Sequence, residues 1–363
     1  MDTKNQYYVL VLLNNNKKTG GVKVALPTVG QSYNEWNSQI LTPSVDDLAA
    51  DNDFYMANAP LKGTASPTTL VTIDKENIYS SKEKAEAGTS AATVYVERGV
   101  AKMSVNDPTT KTVIDKATNT PTQSTVKFNN WALDITNKKT YAVHNIDGLS
   151  TDFPDIWTTD RFIGTNNRVY WGKDPNYNLD NLNKTEADRE AEFNFIKATS
   201  GIKKTFKESA YCLENTFNLA NMYQGQTTRV IFKATYTPMD DAGNPLADKD
   251  GTFYTIGNMT TILKEAALET AVNTAATSVL PGCTVDYTNL KQEGSHVITL
   301  ADIKDSNGTT LVADKDYSGK TGTEIVKEIN DKLGLIDGAG RAEAMVGINT
   351  YLRGVTYYIE GVS

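Results

Sequence analysis

Residues 125–135 read Thr-Val-Lys-Phe-Asn-Asn-Trp-Ala-Leu-Asp-Ile, and residues 228–237 read Thr-Arg-Val-Ile-Phe-Lys-Ala-Thr-Tyr-Thr. In the first, Trp131, Leu133 and Ile135 fall at every second position. In the second, Val230, Phe232, Ala234 and Tyr236 do the same. A period of two places side chains on one face of a pleated strand, and β-branched and aromatic residues suit such a surface. Working outward, residues 6–13, 22–26, 69–73 and 93–105 read as further short strands, with a bulge at Gly99 where the alternation shifts. Residues 354–362 return to strand, setting Val355, Tyr357 and Ile359 against Thr356, Tyr358 and Glu360.

Helical signals are confined to the second half. Residues 185–197 open with a capping-box-like Thr185-Glu186-Ala187-Asp188. Residues 260–280 carry a Leu268, Val272, Ala275, Val279 stripe, and residues 323–333 place Val326, Ile329 and Leu333 on one side, with Gly334 as a stop. Residues 145–155 are turn-rich between patterned segments, which predicts two domains, 1–147 and 148–363.

With 363 residues, each domain is large enough to bury a core. A net charge of -8 and the lack of any basic run argue against nucleic acid as a partner. No apolar stretch approaches the roughly 20 residues needed to span a bilayer. Residues 1–13 lack a signal-peptide pattern, which leaves a cytoplasmic protein or a mature or recombinant form. Cys212 and Cys283 are either a disulfide pair or two small buried hydrophobes.

Signs of chemistry are weak. His144 and His296 lie on strand-like patterns without ligand-spaced Cys or His neighbours, so neither a general base nor a zinc site is expected. Ser318-Gly319-Lys320-Thr321 has P-loop order, but Asp314 stands where a glycine is needed. A loop entering a helix, capped by Thr321 and Glu324, is the simpler reading. Asp305-Ser306-Asn307-Gly308 resembles part of a calcium loop whose first ligand position would be Ile303, so a hairpin turn is expected. Trp131, Trp157 and Trp171 read as core or inter-domain contacts rather than a sugar platform. The expectation is a protein with no active site, cofactor or metal.

Several stretches resemble the fimbrillin family, the pilus subunits of Bacteroides-type bacteria. Asp53-Phe54-Tyr55-Met56-Ala57-Asn58-Ala59-Pro60 is similar to its F-x-M-x-N-A-P segment. Val94-Tyr95-Val96-Glu97-Arg98-Gly99-Val100-Ala101-Lys102 is similar to its V-x-V-E-R-x-V-A-K strand. Trp131-Ala132-Leu133-Asp134 with Asn137-Lys138-Lys139 resembles the closing strand of its first domain. Tyr211-Cys212-Leu213-Glu214-Asn215-Thr216 resembles Y-x-x-E-N-T, followed by a matching strand. The helical segments 260–280 and 323–333 look most like the short-fimbria branch.

The resemblance implies an all-β fold of two transthyretin-like β-sandwich domains, with helical insertions in the second. It implies a structural subunit of a cell-surface fimbria, exported as a lipid-anchored precursor and held via the outer membrane. Such subunits assemble by donor-strand exchange and support adhesion and biofilm formation. Partners would be further copies, related fimbrial subunits, and host or bacterial surface proteins or glycans. Processing would follow a basic residue, already removed or at Lys17-Lys18, and donor strands would lie beyond Ser363. The residues expected to serve assembly are Tyr7, Val9, Val11 and Leu13 at one end and Val355, Tyr357 and Ile359 at the other. The alternative is a surface glycan-binding lipoprotein or tip adhesin, whose groove aromatics would be exposed and coplanar.

Overall fold

The computed structural model describes residues 4–15, 24–49, 53–62, 67–106, 110–152, 154, 168–180, 185–222, 225–335 and 346–362. The first strands are β1 (Tyr8–Val9), β2 (Leu12–Leu13), β3 (Met56–Asn58), β4 (Leu61–Lys62), β5 (Pro67–Thr68), β6 (Val71–Thr72), β7 (Val96–Arg98), β8 (Ala101–Ser104), β9 (Lys111–Ile114) and β10 (Pro121–Asp134). There follow β11 (Thr136–Asn137), β12 (Phe193–Asn194), β13 (Ser209–Cys212), β14 (Arg229–Thr237), β15 (Phe253–Ile256), β16 (Thr284–Val285), β17 (Gly294–His296), β18 (Ile303–Lys304), β19 (Ile348–Tyr351) and β20 (Val355–Gly361). They form a β-rich fold of several small sheets. Every pair with a described register is antiparallel.

The long strand β10 carries the stretch quoted first. Trp131 is fully buried, and its indole N–H donates to the Thr205 carbonyl at 3.0 Å. Ala132 and Asp134 on the opposite face are buried as well, so this end of the strand is covered on both sides. The Asp134 carboxylate survives burial because it is fully engaged. Arg229 reaches it through Nε at 2.8 Å and Nη2 at 2.7 Å, and the Ile196 N–H donates to it at 2.7 Å. The alternation stops at Ile135, whose φ of 56° is left-handed. This is strained for a β-branched residue. It is held by the Thr228 hydroxyl on its carbonyl at 2.8 Å and by packing on Phe193 and Phe217.

By their internal contacts the residues form two compact units. The first comprises Met1–Asn106, Trp131–Ile231 and Ile359–Ser363, and the second Asp107–Asn130 and Phe232–Tyr358. This division differs from a cut between residues 147 and 148. Of the turn-rich stretch 145–155, Phe153 and Asp155 lie outside the described residues. Its described start is tied to the first unit, where the Lys173 N–H donates to the Asn145 carbonyl at 2.7 Å. Just before it, Thr140 pairs with Leu41 of the same unit.

The first unit packs Trp36, Leu48, Phe54, Tyr55, Val100, Val143 and Leu213 into one core, with Leu10 and Leu12 half-buried against it. Expected strand 93–105 is interrupted: β7 pairs with β3, while β8 pairs with β13. Gly99 sits at the break, where a Cβ would stand 3.0 Å from the Tyr55 ring. Of the expected strand 22–26, Val22 and Lys23 lie outside the described residues. Val24 is bound not by a strand but by the Asn15 amide, which both accepts from and donates to its backbone. The expected helix 185–197 is shorter, Glu186–Glu192, because Phe193 and Asn194 leave it to pair with Thr136 and Asn137.

In the second unit, helix Glu265–Val279 buries the expected stripe of Leu268, Val272, Ala275 and Val279. It packs with helix Gly322–Leu333, which fully buries Ile325 and Ile329 and only partly buries Val326 and Leu333. Gly334 stops that helix in a left-handed conformation, φ 67°. The Thr321–Glu324 capping box forms as expected: each side chain accepts the other's backbone N–H, at 3.3 and 2.8 Å. Thr321→Ala removes one of these bonds and is expected to cost about 1 kcal/mol in urea unfolding, with Thr321→Ser restoring most of it.

Candidate functional site

The N-terminal run is the segment on which the assembly residues were placed, and a buried asparagine organises it. β1 pairs with β6 (Val9↔Val71), whereas β2 pairs with β3 (Leu12↔Ala57). The strand thus leaves one sheet edge and joins another at residues 10 and 11. Asn58, fully buried on β3, fills the gap. Its Oδ1 accepts the Val11 N–H at 2.9 Å, and its Nδ2 donates to the Val9 carbonyl at 2.9 Å and the Thr69 carbonyl at 3.0 Å. A side-chain amide carries the same donor and acceptor as a peptide group, so it substitutes for the missing ladder partner. Further on, the Asn14 amide donates to the Phe54 carbonyl at 2.7 Å.

The residues of this run that pack on the core are distinct from those expected to serve assembly. Leu10 and Leu12 lie against the core, while Tyr7, Val9 and Val11 are half-buried and Leu13 is 38 % exposed. The pairing partner changes at residues 10 and 11, yet Leu10 and Leu12 keep to one face. At the other end, β20 is an edge of the sheet ordered β20-β14-β10-β9. Val355 and Tyr357 are half-buried, Thr356 is buried and Ile359 is 53 % exposed. The two groups of candidates lie on different sheets.

Motif residues far apart in sequence converge in the first unit. Phe54 and Tyr211 rings lie 5.4 Å apart, with the Arg98 guanidinium 4.2 Å over Phe54. Glu97, 5 % exposed at its side chain, faces Arg168 at 2.6 Å and His144 Nδ1 at 2.9 Å. His144 Nε2 lies 3.7 Å from Glu214. Burial alone would push the imidazole down, but the Glu214 and then the Glu97 carboxylates outweigh it and lift its pKa to about 9. Burial likewise opposes ionisation of Glu97, yet His144 and Arg168 hold it below the usual carboxylate range. These groups line a groove of about 460 Å³ with Val100, Cys212 and Trp171 on its walls.

Glu214, Asn215 and Thr216 each have a structural task. Glu214 accepts the Gly172 N–H at 2.9 Å, and the Asn215 amide donates to the Gln226 carbonyl and Thr228 hydroxyl at 2.9 and 2.8 Å. Thr216 donates its backbone N–H to the buried Asp174 carboxylate at 2.5 Å. Burial pushes Asp174 up to about 7, against the opposing N–H bonds of Thr216 and Asn176.

The other sequence candidates have structural partners. His296 Nε2 contacts the Gln292 carbonyl at 3.0 Å. Asp305 caps a turn by accepting the Asn307 and Thr309 N–H groups, both at 3.0 Å. Asp316 accepts the Gly319 N–H at 2.6 Å at the entry to the capped helix. Cys212 and Cys283 are buried and free, which corresponds to the hydrophobe reading. Trp171 packs edge-on against Tyr177, while Trp157 and the Lys17-Lys18 site lie outside the described residues. In the second unit, Phe128, Phe232 and Tyr358 pack edge to face, at 65° and 68°. Among the described residues no helix is long and apolar enough to cross a membrane, and no group of three or more His, Cys, Asp or Glu is arranged to hold a metal. No family model matches the chain, and no characterised protein matches it in sequence.

Proposed function

We propose that this chain is a non-enzymatic structural subunit of a cell-surface fimbria. In this reading it is built on two transthyretin-like β-sandwich domains and assembles by donor-strand exchange. One observation carries the proposal: residues 8–13 form two two-residue strands, one the pairing partner of β6 and the other the cover of the β3 edge of the β3-β7 pair. Removing them would bare both edges, the Asn58 amide and the apolar patch under Leu10 and Leu12. An uncovered edge beside an apolar patch takes a strand from another chain by β-augmentation. Two half-buried leucines contribute about 2–3 kcal/mol before entropy costs, roughly half of what full burial gives, and Asn58 adds three directed hydrogen bonds. One such head-to-tail contact, repeated, makes an open filament. Adhesion, outer-membrane anchoring and biofilm formation follow from the same resemblance. The glycan-binding alternative is favoured less, since the tilted Phe128, Phe232 and Tyr358 rings offer no flat platform for a sugar.

The test is a chain carrying a protease site after Asn15, examined before and after cleavage by size-exclusion chromatography and electron microscopy. The intact chain is expected to stay monomeric. The cleaved chain, freed of its N-terminal segment, should bind a synthetic peptide of residues 6–15, and an Asn58→Leu seat should not. Filaments formed as readily by the uncleaved chain, or a seat that does not rebind the peptide, would sink the proposal.

A further inference from the structure

We propose that a cavity in the second unit binds an apolar carboxylate, a molecule with an apolar body and one carboxylate head. The cavity measures about 550 Å³, within the range of small-molecule sites. Its buried and half-buried lining is largely apolar: Tyr236, Pro238, Met239 and Ala247. Its exposed lining includes three cations, Lys249, Lys264 and Arg353. None of the three forms an ion pair among the described residues.

Two carboxylates stand near these cations, and Asp250 interacts electrostatically with Arg353. Asp248, the one acidic residue in the lining, accepts the Glu265 N–H at 3.0 Å at the start of helix Glu265–Val279. Asp250 accepts the Thr252 N–H and hydroxyl, both at 2.9 Å. Lys249, Lys264 and Arg353 against Asp248 and Asp250 leave one net positive charge at an apolar pocket, which suits a single carboxylate.

The backbone fixes where Arg353 stands. Arg353 has φ 52° and ψ 30°, a left-handed conformation that residues other than glycine and asparagine rarely adopt. Its N–H donates to the Thr252 hydroxyl at 3.0 Å. Gly251 packs against it: its φ of 89° favours glycine, and a Cβ there would lie in ordinary contact, 3.4 Å from the Arg353 carbonyl carbon. Two interlocked loops thus hold an arginine, rather than the less strained glycine, at the cavity mouth. Tertiary bonds alone hold a left-handed backbone at Ile135, so what matters at Arg353 is the place of its side chain in the cavity lining.

The pocket walls suit an alkyl or aryl body better than a sugar, whose hydroxyls would find few partners there. Two sources share that chemistry, a free fatty acid and the C-terminus of a peptide ending in an apolar residue. Calorimetric titration of the full chain with decanoate, decanol, N-acetyl-Ala-Ala-Phe and its C-terminal amide separates them. At least one acid should bind about tenfold or more tighter than its uncharged counterpart, and weaken as salt is raised. Binding by decanoate alone assigns a fatty acid, and binding by the peptide acid alone assigns a chain terminus. Arg353→Gly should keep or raise the thermal midpoint, because glycine relieves the backbone, yet lose at least about tenfold in affinity for the acid. Equal binding of acid and uncharged probe, unchanged affinity in Arg353→Gly, or no binding of either acid would overturn the proposal.

Discussion

Replacing Asn58 by leucine is expected to destabilise the first unit by about 3–5 kcal/mol and to free residues 8–13 while the rest of the unit stays folded. Leucine matches asparagine in side-chain heavy atoms but is bulkier, so overpacking adds to the effect. What is lost is polar: the Val11 N–H and the Val9 and Thr69 carbonyls all give up the amide that satisfies them. A buried backbone group left without a partner costs about 1–3 kcal/mol, and water can reach some of these once the strand lifts. Local release is therefore cheaper than keeping the strand seated over three orphaned groups. Asn58→Asp tests the same point with the volume held constant, since a carboxylate keeps the acceptor for Val11 and sets a negative charge against two carbonyls. The checks are urea unfolding and amide hydrogen exchange. Exchange at Val9 and Val11 should rise far more than exchange at Trp131. Unchanged protection at those two amides would show that the ladders to β6 and β3 seat the strand without Asn58.

The elements that the sequence revealed are those whose signal is local. The stripe of Leu268, Val272, Ala275 and Val279, the Thr321–Glu324 cap and the Gly334 stop are all read within a few turns of chain, and each forms. The run ending at Trp131 was legible as a strand for the same reason. The change of partner within residues 6–13 was not legible, because it is bridged by Asn58, a residue remote in sequence. Ile135 misled similarly: it continues the pattern of Trp131 and Leu133, but tertiary bonds to Thr228 hold it in a left-handed bend. The Glu97–His144–Glu214 cluster had no local signature at all. Each residue sits singly in a strand or loop pattern, and only the fold brings them within ion-pair distance. The one clue was indirect, since Glu97 and Glu214 both fall within the stretches that carry the family resemblance.

That cluster makes the stability of the first unit depend on pH in a definite direction. The fold favours the protonated imidazole of His144, lifting it from 6.5 to about 9. Its stabilising contribution is therefore complete below about pH 6.5 and is lost as pH rises through 9. A shift of that size corresponds to about 3 kcal/mol, since one unit is worth about 1.4 kcal/mol and the side chain is only partly exposed. Asp174 acts in the same direction at lower pH. The fold favours its neutral form, with a pKa raised from 3.8 to about 7, so it too loses stability as pH rises through that window. Glu97 works oppositely, being held ionised, and its contribution falls away only in acid. Stability should accordingly peak on the mildly acidic side and decline between about pH 6.5 and 9.5. In the neutral imidazole state the carboxylates of Glu97 and Glu214 lose the positive charge between them, and Arg168 compensates only Glu97. His144→Gln should cost about 2–3 kcal/mol near pH 6 and little near pH 9.5, so that the two stability curves converge in alkali. Asp174→Asn should leave the alkaline limb intact and flatten the slope between about pH 5 and 7. Urea unfolding of the three proteins across this range measures all of it, and a wild-type midpoint that stays level from about pH 6.5 to 9.5 would mean that His144 is not held charged by its two carboxylates.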